Sequence, residues 1–207
     1  MKLDLEKILK ELKPYRERKT QIDFQHCALL AIDLQNYFHQ IAQPVLKNIL
    51  NVIQTCRSRS IPVIFTQHGH TDPDSDGGIL GEWWGELIVG GTEDWKFLAE
   101  IKIEPNETTI AKKRYSAFFG TDLDQILRSR GTQDVIISGV MTNLCCETTA
   151  RDAFMRDYRV FFLIDGTATR RSEFHLATLK NLGFGFAYLL TCDELIQMLT
   201  GKRPVPP

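Results

Sequence analysis

Two adjacent cysteines stand in the stretch GVMTNLCCETTARDAF, where an apolar run gives way to a helical pattern. A cysteine thiolate is a strong nucleophile, whereas a cysteine packed in a core is an inert apolar filler. Neighbouring residues on a helix project about 100° apart, so at most one of Cys145 and Cys146 is expected to face a ligand. The apolar positions Ala150, Ala153 and Phe154 favour Cys146 as the residue that packs inside.

Two other reactive side chains come at the ends of apolar runs. Asp33 ends the run CALLAID, and Lys112 ends the run TTIAK. Ligands of open parallel sheets bind beyond the carboxyl ends of the strands, so a carboxylate, an amine and a thiol are expected at one edge. An ammonium and a helix N-terminus both stabilise a thiolate, and lowering its pKa by two units takes about 2.7 kcal/mol. With a carboxylate to carry the proton, the set fits acyl transfer.

Each member of this set also has a purely structural interpretation. Asp33 could cap a helix or hold a turn, and Lys112 could be an ordinary solvated lysine. Cys145 and Cys146 could both be core fillers, because free cysteine is among the most buried residue types. The residue types alone leave these alternatives open.

Six short apolar runs must position the reactive residues. They lie at 27–33, 61–67, 108–112, 134–140, 159–165 and 184–190. Helical patterns are predicted at 44–58, 121–130, 143–157, 173–182 and 193–200, and an amphipathic helix over 3–13 is expected to end at Pro14. Apolar strands that alternate with helices predict a three-layer α/β/α fold around a doubly wound, mostly parallel six-stranded sheet. We expect a single domain over 1–207, with an N-terminal helical extension at 1–20 and a frayed tail at 201–207.

The composition argues against several kinds of partner. The net charge of −1 gives no electrostatic basis for binding nucleic acid. The charged N-terminus lacks the apolar core of a signal peptide, and no apolar run approaches the roughly 20 residues that cross a bilayer. Five cysteines without a CxxC pair indicate free thiols in a reducing compartment. We therefore expect a cytoplasmic protein that binds neither nucleic acid nor membrane.

Three motifs in order, AIDLQNYF, AKKRYSAFFGTDLDQILRSRG and GVMTNLCCETTARDAF, resemble the isochorismatase-like cysteine hydrolases, and specifically their nicotinamidase-like branch. The likeness extends over about residues 26–195 and implies the isochorismatase-like hydrolase fold. By position it implies a catalytic triad of Asp33, Lys112 and Cys145. Lys112 is favoured over Lys113 because it stands three residues before the tyrosine of RYSAF.

The resemblance also implies an oxyanion hole and a reaction. A cis peptide is expected at Val140–Met141, which turns the backbone N–H groups of Met141 and Cys145 toward the substrate oxygen. The implied activity is hydrolysis of the C–N bond of a small carboxamide such as nicotinamide, through a thioester, in a homo-oligomer (dimer or tetramer). Three alternatives stay open: an isochorismatase-type vinyl-ether hydrolase, a ureido or lactam hydrolase, and a non-catalytic binding protein with a retained pocket.

Aromatic residues are expected to line the substrate pocket. Phe38 matches a pocket phenylalanine of the family, although it could equally be core. Trp83 and Trp84 are adjacent in a glycine-rich stretch, and such pairs are seldom both core. We assign Trp83 to the pocket, with an oligomer contact as the alternative. Tyr115 is also assigned to the pocket, while Phe118 could line it or pack.

Histidines near the second predicted strand raise the question of a metal. Nicotinamidases with a divalent ion bind it through an aspartate, a histidine two residues later and further histidines. Thr66 and Gln67 precede His68 here, so we predict no metal, keep a divalent ion at His68 or His70 as the unfavoured alternative, and assign His68 to substrate binding. The run DPDSDGG begins like a calcium loop, but Trp83 stands where its bidentate glutamate should be, which excludes that site.

Overall fold

The computed structural model describes residues 4–201, whose six strands form one sheet. They are β1 (Cys27–Ile32), β2 (Val63–His68), β3 (Thr108–Lys112), β4 (Asp134–Val140), β5 (Arg159–Ala168) and β6 (Tyr188–Leu190). The strand order is β3-β2-β1-β4-β5-β6, and every neighbouring pair is parallel. The predicted doubly wound sheet is therefore confirmed, and it is parallel throughout rather than mostly parallel.

Helices connect the strands and cover the sheet. They are α1 (Leu5–Leu12), α2 (His39–Ser58), α3 (Pro73–Asp76), α4 (Ile79–Trp84), α5 (Leu123–Ser129), α6 (Glu147–Phe154), α7 (Ser172–Gly185) and α8 (Cys192–Thr200). Two 3₁₀ turns at Lys13–Tyr15 and Asn36–Phe38 and a π-helical turn at Thr142–Cys146 complete them. Across residues 4–201, none of the helices is both long and apolar enough to cross a bilayer.

Apolar packing covers both faces of the sheet. Alternate residues of β1 belong to two separate clusters, one that includes the buried sides of α2 and α8 and one that includes those of α1, α5, α6 and α7. Because neither face of the inner strands meets water, those strands have no solvated side, whereas the edge strand β3 exposes Thr109 and Ala111. This arrangement explains why the strands appear in the sequence as uninterrupted apolar runs, and it completes the three α/β/α layers.

Several element boundaries differ from the prediction; β5, for example, continues to Ala168, three residues past its predicted end at 165. Helix α2 begins at His39, five residues before the predicted start, and carries Pro44 inside it. Helix α7 continues to Gly185 and leaves only Tyr188–Leu190 for β6, although the whole run 184–190 is apolar. A Cβ on Gly183 would lie 2.8 Å from the Tyr15 carbonyl oxygen and from Leu189, so the absent side chain lets the helix pack closely there.

The N-terminal helix packs on its own chain. Ile8 and Leu12 of α1 are buried in the same cluster as α7, and Lys180 forms an ion pair with Glu11 at 2.7 Å. The apolar side of α1 is therefore covered by α7 of the same chain. Helix α1 ends at Leu12, just before Pro14 as predicted. Of the predicted tail, residues 202–207 lie outside the described part of the chain.

The long segment between β2 and β3 covers the carboxyl edge of the sheet. It contains only the two short helices α3 and α4 among turns, and an isolated antiparallel bridge joins Phe97 to Gln35. Such a segment is longer than a plain crossover between parallel strands requires. It forms one wall of the site described next.

Candidate active site

Asp33 follows the last residue of β1 in a conformation that non-glycine residues seldom adopt. Its φ angle is +48°, in the left-handed region. The Thr66 hydroxyl donates to Asp33 Oδ1 at 2.5 Å and accepts from the Asp33 backbone N–H at 3.1 Å. Both residues are fully buried. The carboxylate is thus held by a strained backbone and by a hydroxyl that contacts the same residue twice.

Lys112 ends the edge strand β3 and reaches across the sheet to Asp33. Its Nζ lies 2.7 Å from Asp33 Oδ2, donates to Cys145 Sγ at 3.4 Å and donates to the Arg114 carbonyl at 3.0 Å. Since β3 lies two strands from β1, about 10 Å away, only a side chain as long as lysine makes this contact. Burial opposes the charge, but Asp33 and Cys145 outweigh it and raise the pKa of Lys112. The ammonium therefore stays charged at neutral pH.

Cys145 lies in the π-helical turn that follows β4. The strand ends against β1, where Gly139 has φ +119° and a Cβ would come within 2.1 Å of the Ile32 carbonyl oxygen, so only glycine fits. The Val140–Met141 peptide is cis. The backbone N–H groups of Leu144 and Cys146 donate to the Met141 carbonyl at 3.1 and 3.2 Å. These bonds fix the backbone on both sides of Cys145.

Burial favours the neutral form of the Cys145 thiol and opposes the thiolate that the sequence analysis considered. Burial raises the pKa of Cys145 to about 12, opposed by the Lys112 ammonium and reinforced by the Asp33 carboxylate. The physical reason is that Asp33 and Lys112 already neutralise each other, so little net positive charge remains to offset desolvation. Lys112 therefore does not ionise the thiol while Asp33 holds its own charge.

The neighbouring cysteine belongs to the core. Cys146 has no exposed surface and packs in the cluster that lies against α6. Burial, then the neighbouring Cys145, raises its pKa well above the ordinary value. The structure thus separates the two cysteines as the helical spacing suggested: Cys145 lines a cavity, and Cys146 does not.

A cavity of about 260 Å³ opens beside the sulfur of Cys145. Its walls are formed by Tyr37, Phe38, His68, Leu80, Trp84, Glu86, Leu87, Ile88, Tyr115, Met141, Leu144 and Arg170. Three of the four residues assigned to substrate binding, Phe38, His68 and Tyr115, are among them. The volume lies below the roughly 300 Å³ at which pockets for drug-sized ligands begin, so the cavity suits a small molecule.

Trp83 does not line this cavity; the adjacent Trp84 does. The side chain of Trp83 is 77% exposed, whereas Trp84 Nε1 donates to the Tyr115 hydroxyl at 2.8 Å. Both residues lie on α4, where neighbours project in different directions, so only one can face inward. Phe118 is buried and stacks on Tyr158 at 6.0 Å, which makes it a packing residue.

The histidine pair does not form a recognisable metal site. The His70 ring packs edge-on against His68 at 5.5 Å, and its Nδ1 lies 2.9 Å from Asp76 Oδ1. Asp76 also accepts from the Thr71 backbone and pairs with Lys113 at 2.9 Å. In the described residues, no three His, Cys, Asp or Glu side chains are arranged to hold a metal ion. The residues present therefore do not fit the divalent ion of metal-dependent nicotinamidases.

Sequence reasoning assigned no role to several residues that hold the site together. Gln35 is fully buried; its Oε1 accepts from the His68 backbone N–H and its Nε2 donates to the His68 carbonyl, both at 2.8 Å. Thr142 Oγ1 lies 2.9 Å from His175 Nδ1, which ties the nucleophile turn to α7. Gln35 stands two residues after Asp33 in AIDLQNYF, so that motif carried a signal. His175 lies outside every motif.

Comparison with known proteins places the chain among hydrolases with related folds. The isochorismatase domain matches residues 27–194. Nicotinamidase 3 of Arabidopsis thaliana is 48% identical over 91% of this chain and 96% of that protein. A ureidoacrylate amidohydrolase of an Enterobacter species is 32% identical over 83% of this chain and 90% of that protein.

A solved structure supports the same relationship at the level of the fold. The cysteine hydrolase of Pseudomonas syringae pv. phaseolicola superposes with a TM-score of 0.84 over 88% of this chain and 96% of that chain, at 23% identity. The domain match spans most of the chain, and the sequence similarity extends over nearly all of a relative's length. On these grounds the chain belongs to the isochorismatase family.

Proposed function

We propose that this protein is a cysteine hydrolase that cleaves the C–N bond of a small carboxamide, with nicotinamide as the substrate. The observation that carries this proposal is the buried cluster in which Lys112 Nζ contacts both Asp33 at 2.7 Å and Cys145 Sγ at 3.4 Å beside a small cavity. The relative with 48% identity is named a nicotinamidase, and the solved Streptococcus mutans protein with 26% identity and a TM-score of 0.73 is named a pyrazinamidase/nicotinamidase.

Proton transfer from Cys145 to Asp33 starts the reaction. Removing the thiol proton to bulk water is costly, because burial raises its pKa to about 12. Passing the proton to Asp33 leaves a neutral acid, a thiolate and the Lys112 ammonium, so the net charge of the cluster does not change. The Lys112 ammonium then pairs with the new thiolate instead of the Asp33 carboxylate. Attack of the sulfur on the carbonyl carbon is coupled to this proton transfer.

Acylation and deacylation follow from the same groups. The thiolate attacks the amide carbonyl, and we propose that the N–H groups of Met141 and Cys145 stabilise the oxyanion. Asp33 returns its proton to the departing ammonia as the C–N bond breaks. Asp33 then accepts a proton from the water that attacks the thioester and passes it to the departing sulfur, which releases the carboxylic acid and restores the free thiol.

The cavity walls favour a flat, uncharged ring. Phe38, Trp84 and Tyr115 supply aromatic surfaces, and Leu80 and Ile88 supply aliphatic ones. Aromatic side chains pack well against planar rings. Because the histidines do not fit a metal site, we propose that the reaction uses neither a metal nor another cofactor and that substrate is oriented by protein groups alone.

Another C–N substrate of similar size is the second candidate. One relative is named a ureidoacrylate amidohydrolase, and the same thiol chemistry would cleave a ureido or lactam bond. Vinyl-ether hydrolysis of the isochorismatase type is less well supported, because the buried thiol that contacts Lys112 has no use in it.

The surroundings of the cavity support a homo-oligomer, either a dimer or a tetramer. Large apolar side chains are exposed around the cavity mouth, namely Ile79, Trp83, Phe119 and Phe174. Contiguous exposed apolar surface commonly marks a protein contact, which gives Trp83 its alternative role. We further propose that the protein is cytoplasmic, with free thiols, and has a small-molecule substrate rather than a nucleic-acid or membrane partner.

Ammonia release from nicotinamide, alongside a panel of small amides and ureido compounds, tests the proposed activity. Cys145→Ala should abolish turnover, and mass spectrometry of the native enzyme after a rapid quench should detect an acyl adduct on Cys145. Cys146→Ala is the matched control, because that thiol is buried outside the cavity. Turnover that survives in Cys145→Ala would contradict the thioester mechanism, and no turnover of any panel member would favour the non-catalytic alternative.

A further inference from the structure

The imidazole of His68 lines the cavity but has no part in the proton transfers described above. We propose that His68 donates a neutral N–H to the substrate and selects carboxamides that carry a second, uncharged hydrogen-bond acceptor, such as a pyridine nitrogen. The inference rests on the proposed function and deepens it, because it names what the site recognises beyond the amide.

Three contacts hold His68 in place, two from Gln35 and one from His70. The side-chain amide of Gln35 pairs with both the backbone N–H and the carbonyl of His68 at 2.8 Å. The ring packs edge-on against His70, and His70 is itself held by Asp76, which pairs with Lys113. A side chain fixed through its backbone and its ring loses little further entropy when it binds a ligand. The position of His68 is therefore preorganised.

The two ring nitrogens of His68 have different surroundings. Nδ1 is buried and has no hydrogen-bond partner. Nε2 also has no hydrogen-bond partner within residues 4–201, but unlike Nδ1 it is not fully buried. Because His68 lines the cavity, we infer that the accessible surface of Nε2 faces the cavity. Buried N–H groups without a partner are rarer than buried acceptors without one. The proton therefore belongs on Nε2, which makes the cavity-facing atom a donor.

Burial, and then the charges around it, favours the neutral form of His68. Burial and then the Lys112 ammonium lower the pKa of His68 to about 4, with smaller effects of the same sign from His70 and Arg114 and an opposite effect from Asp33. At the cavity mouth the exposed side chains Glu86 and Arg170 have opposite charges. Neither the donor nor its surroundings thus carries a net charge that would favour an ionic substituent.

A neutral donor in a small cavity discriminates between amides because a substrate that leaves the donor without an acceptor binds less well. An amide of the same shape without the acceptor would cover the Nε2 proton and leave it without a partner. Sites built to hydrogen-bond a polar group reject analogues that lack it far better than apolar pockets reject an extra group. Nicotinamide satisfies the proton, and benzamide, with the same ring size, does not.

The test is the ratio of kcat/KM for nicotinamide to that for benzamide. His68→Phe keeps a planar ring and removes the N–H, and it should lower this ratio by about 10- to 100-fold, mostly through KM for nicotinamide. The use of a ratio cancels the different intrinsic reactivities of the two amides. His68→Gln places an amide N–H near the position of Nε2 and should recover part of the ratio, whereas a general packing defect would not be recovered. His26→Phe, far from the cavity, is the matched control and should leave the ratio unchanged.

Each outcome has a defined meaning. An unchanged ratio in His68→Phe would overturn the inference while leaving amide hydrolysis intact. Preference of the native enzyme for 3-carbamoylbenzoate over nicotinamide would also overturn it, because the selecting group would then be the cation Arg170. Ammonia release from none of the three amides would overturn the proposed function itself, and with it this inference.

Discussion

Two buried aspartates at opposite edges of the sheet use similar partners for different purposes. Asp134, at the amino end of β4, receives both N–H arms of Arg159 at 2.5 and 2.9 Å and the Asp23 backbone N–H at 2.8 Å. The Arg159 side chain is 41% exposed, so its charge stays partly solvated. These contacts of Asp134 are fixed hydrogen bonds. The thiol of Cys27 lies beside Asp134 in the sheet, and its pKa is raised by burial and then by that carboxylate, but it donates to the Phe24 carbonyl and does not share Arg159.

Asp33, at the carboxyl end of β1, has a cation that is shared with a third group. Lys112 has no exposed surface and contacts the Cys145 sulfur as well as the carboxylate. The ion pair of Asp134 with Arg159 is structural. The ion pair of Asp33 with Lys112 is reactive, because Lys112 also contacts a thiol. The comparison shows that a buried ion pair can take part in catalysis when a third group can pass its proton to the carboxylate without changing the net charge of the cluster.

The largest expected contrast comes from neutralising each aspartate in turn. Asp33→Asn removes the proton acceptor and should lower kcat/KM by about 10²- to 10⁴-fold. Asp134→Asn should leave the activity of the folded enzyme within about twofold but lower the free energy of unfolding by about 3 kcal/mol, because it breaks a buried pair. Turnover assays and urea unfolding measure the two effects. Equal losses of activity would mean that both edges act only through stability.

Lowering the pH should destabilise the folded protein through two buried histidines near the carboxyl ends of the strands. Burial lowers the pKa of both His68 and His175 to about 4, below the unfolded value of about 6.5. The unfolded chain therefore binds more protons between these pH values, and each histidine should cost about 3 kcal/mol of stability as the pH falls from 6.5 to 4.

Chemical unfolding at several pH values measures this loss, and His175→Gln should remove about half of it. The substitution also removes the contact of His175 with Thr142, so the comparison is made on the pH slope rather than on the stability at pH 7. A slope that is the same in the variant and the native protein would show that His175 is not held neutral.

The smallest effect, and the sharpest, concerns thiol reactivity. Asp33 raises the pKa of Cys145 and Lys112 lowers it, although burial outweighs both. Asp33→Asn leaves Lys112 as the charged neighbour and should speed alkylation of Cys145 by iodoacetamide about tenfold at pH 8, which corresponds to one pKa unit. Activity and reactivity would then change in opposite directions. Asp134→Asn is the control, and peptide mapping locates the label.

Slower alkylation in Asp33→Asn would contradict this account. It would indicate that the resting enzyme already holds the thiolate, with its proton on Asp33. In that case the coupling between proton transfer and attack on the carbonyl would be lost from the mechanism.

Most of the fold could be predicted because both faces of the sheet are covered. Strands buried on both sides must be apolar throughout, so the run ending at Asp33 was recognisable without any contact information. The last strand was overestimated, since its first residues are apolar for a helix that packs through Gly183. Periodicity does not separate a short buried strand from the end of a buried helix.

The proximity of the three reactive residues could be predicted from the sequence, whereas the depth of their burial could not. The rule that ligands bind at the carboxyl ends of parallel strands brought Asp33, Lys112 and Cys145 to one edge. The sequence did not show that Trp84, rather than Trp83, lines the cavity. Residue spacing does not predict how a short helix within an irregular segment is oriented. His175 was missed because it touches the nucleophile turn from a helix about 30 residues further along the chain.

The sequence by itself determined which groups are present and at which edge of the sheet they lie, because the order of strands and helices follows from local patterns of apolar residues. Only the tertiary structure decided that Lys112 crosses two strands to reach Asp33, and that Cys145 is buried deeply enough to raise its pKa. Distances across the sheet and the extent of burial depend on residues far apart in the chain. The charge state of Cys145 is set by those distances and that burial.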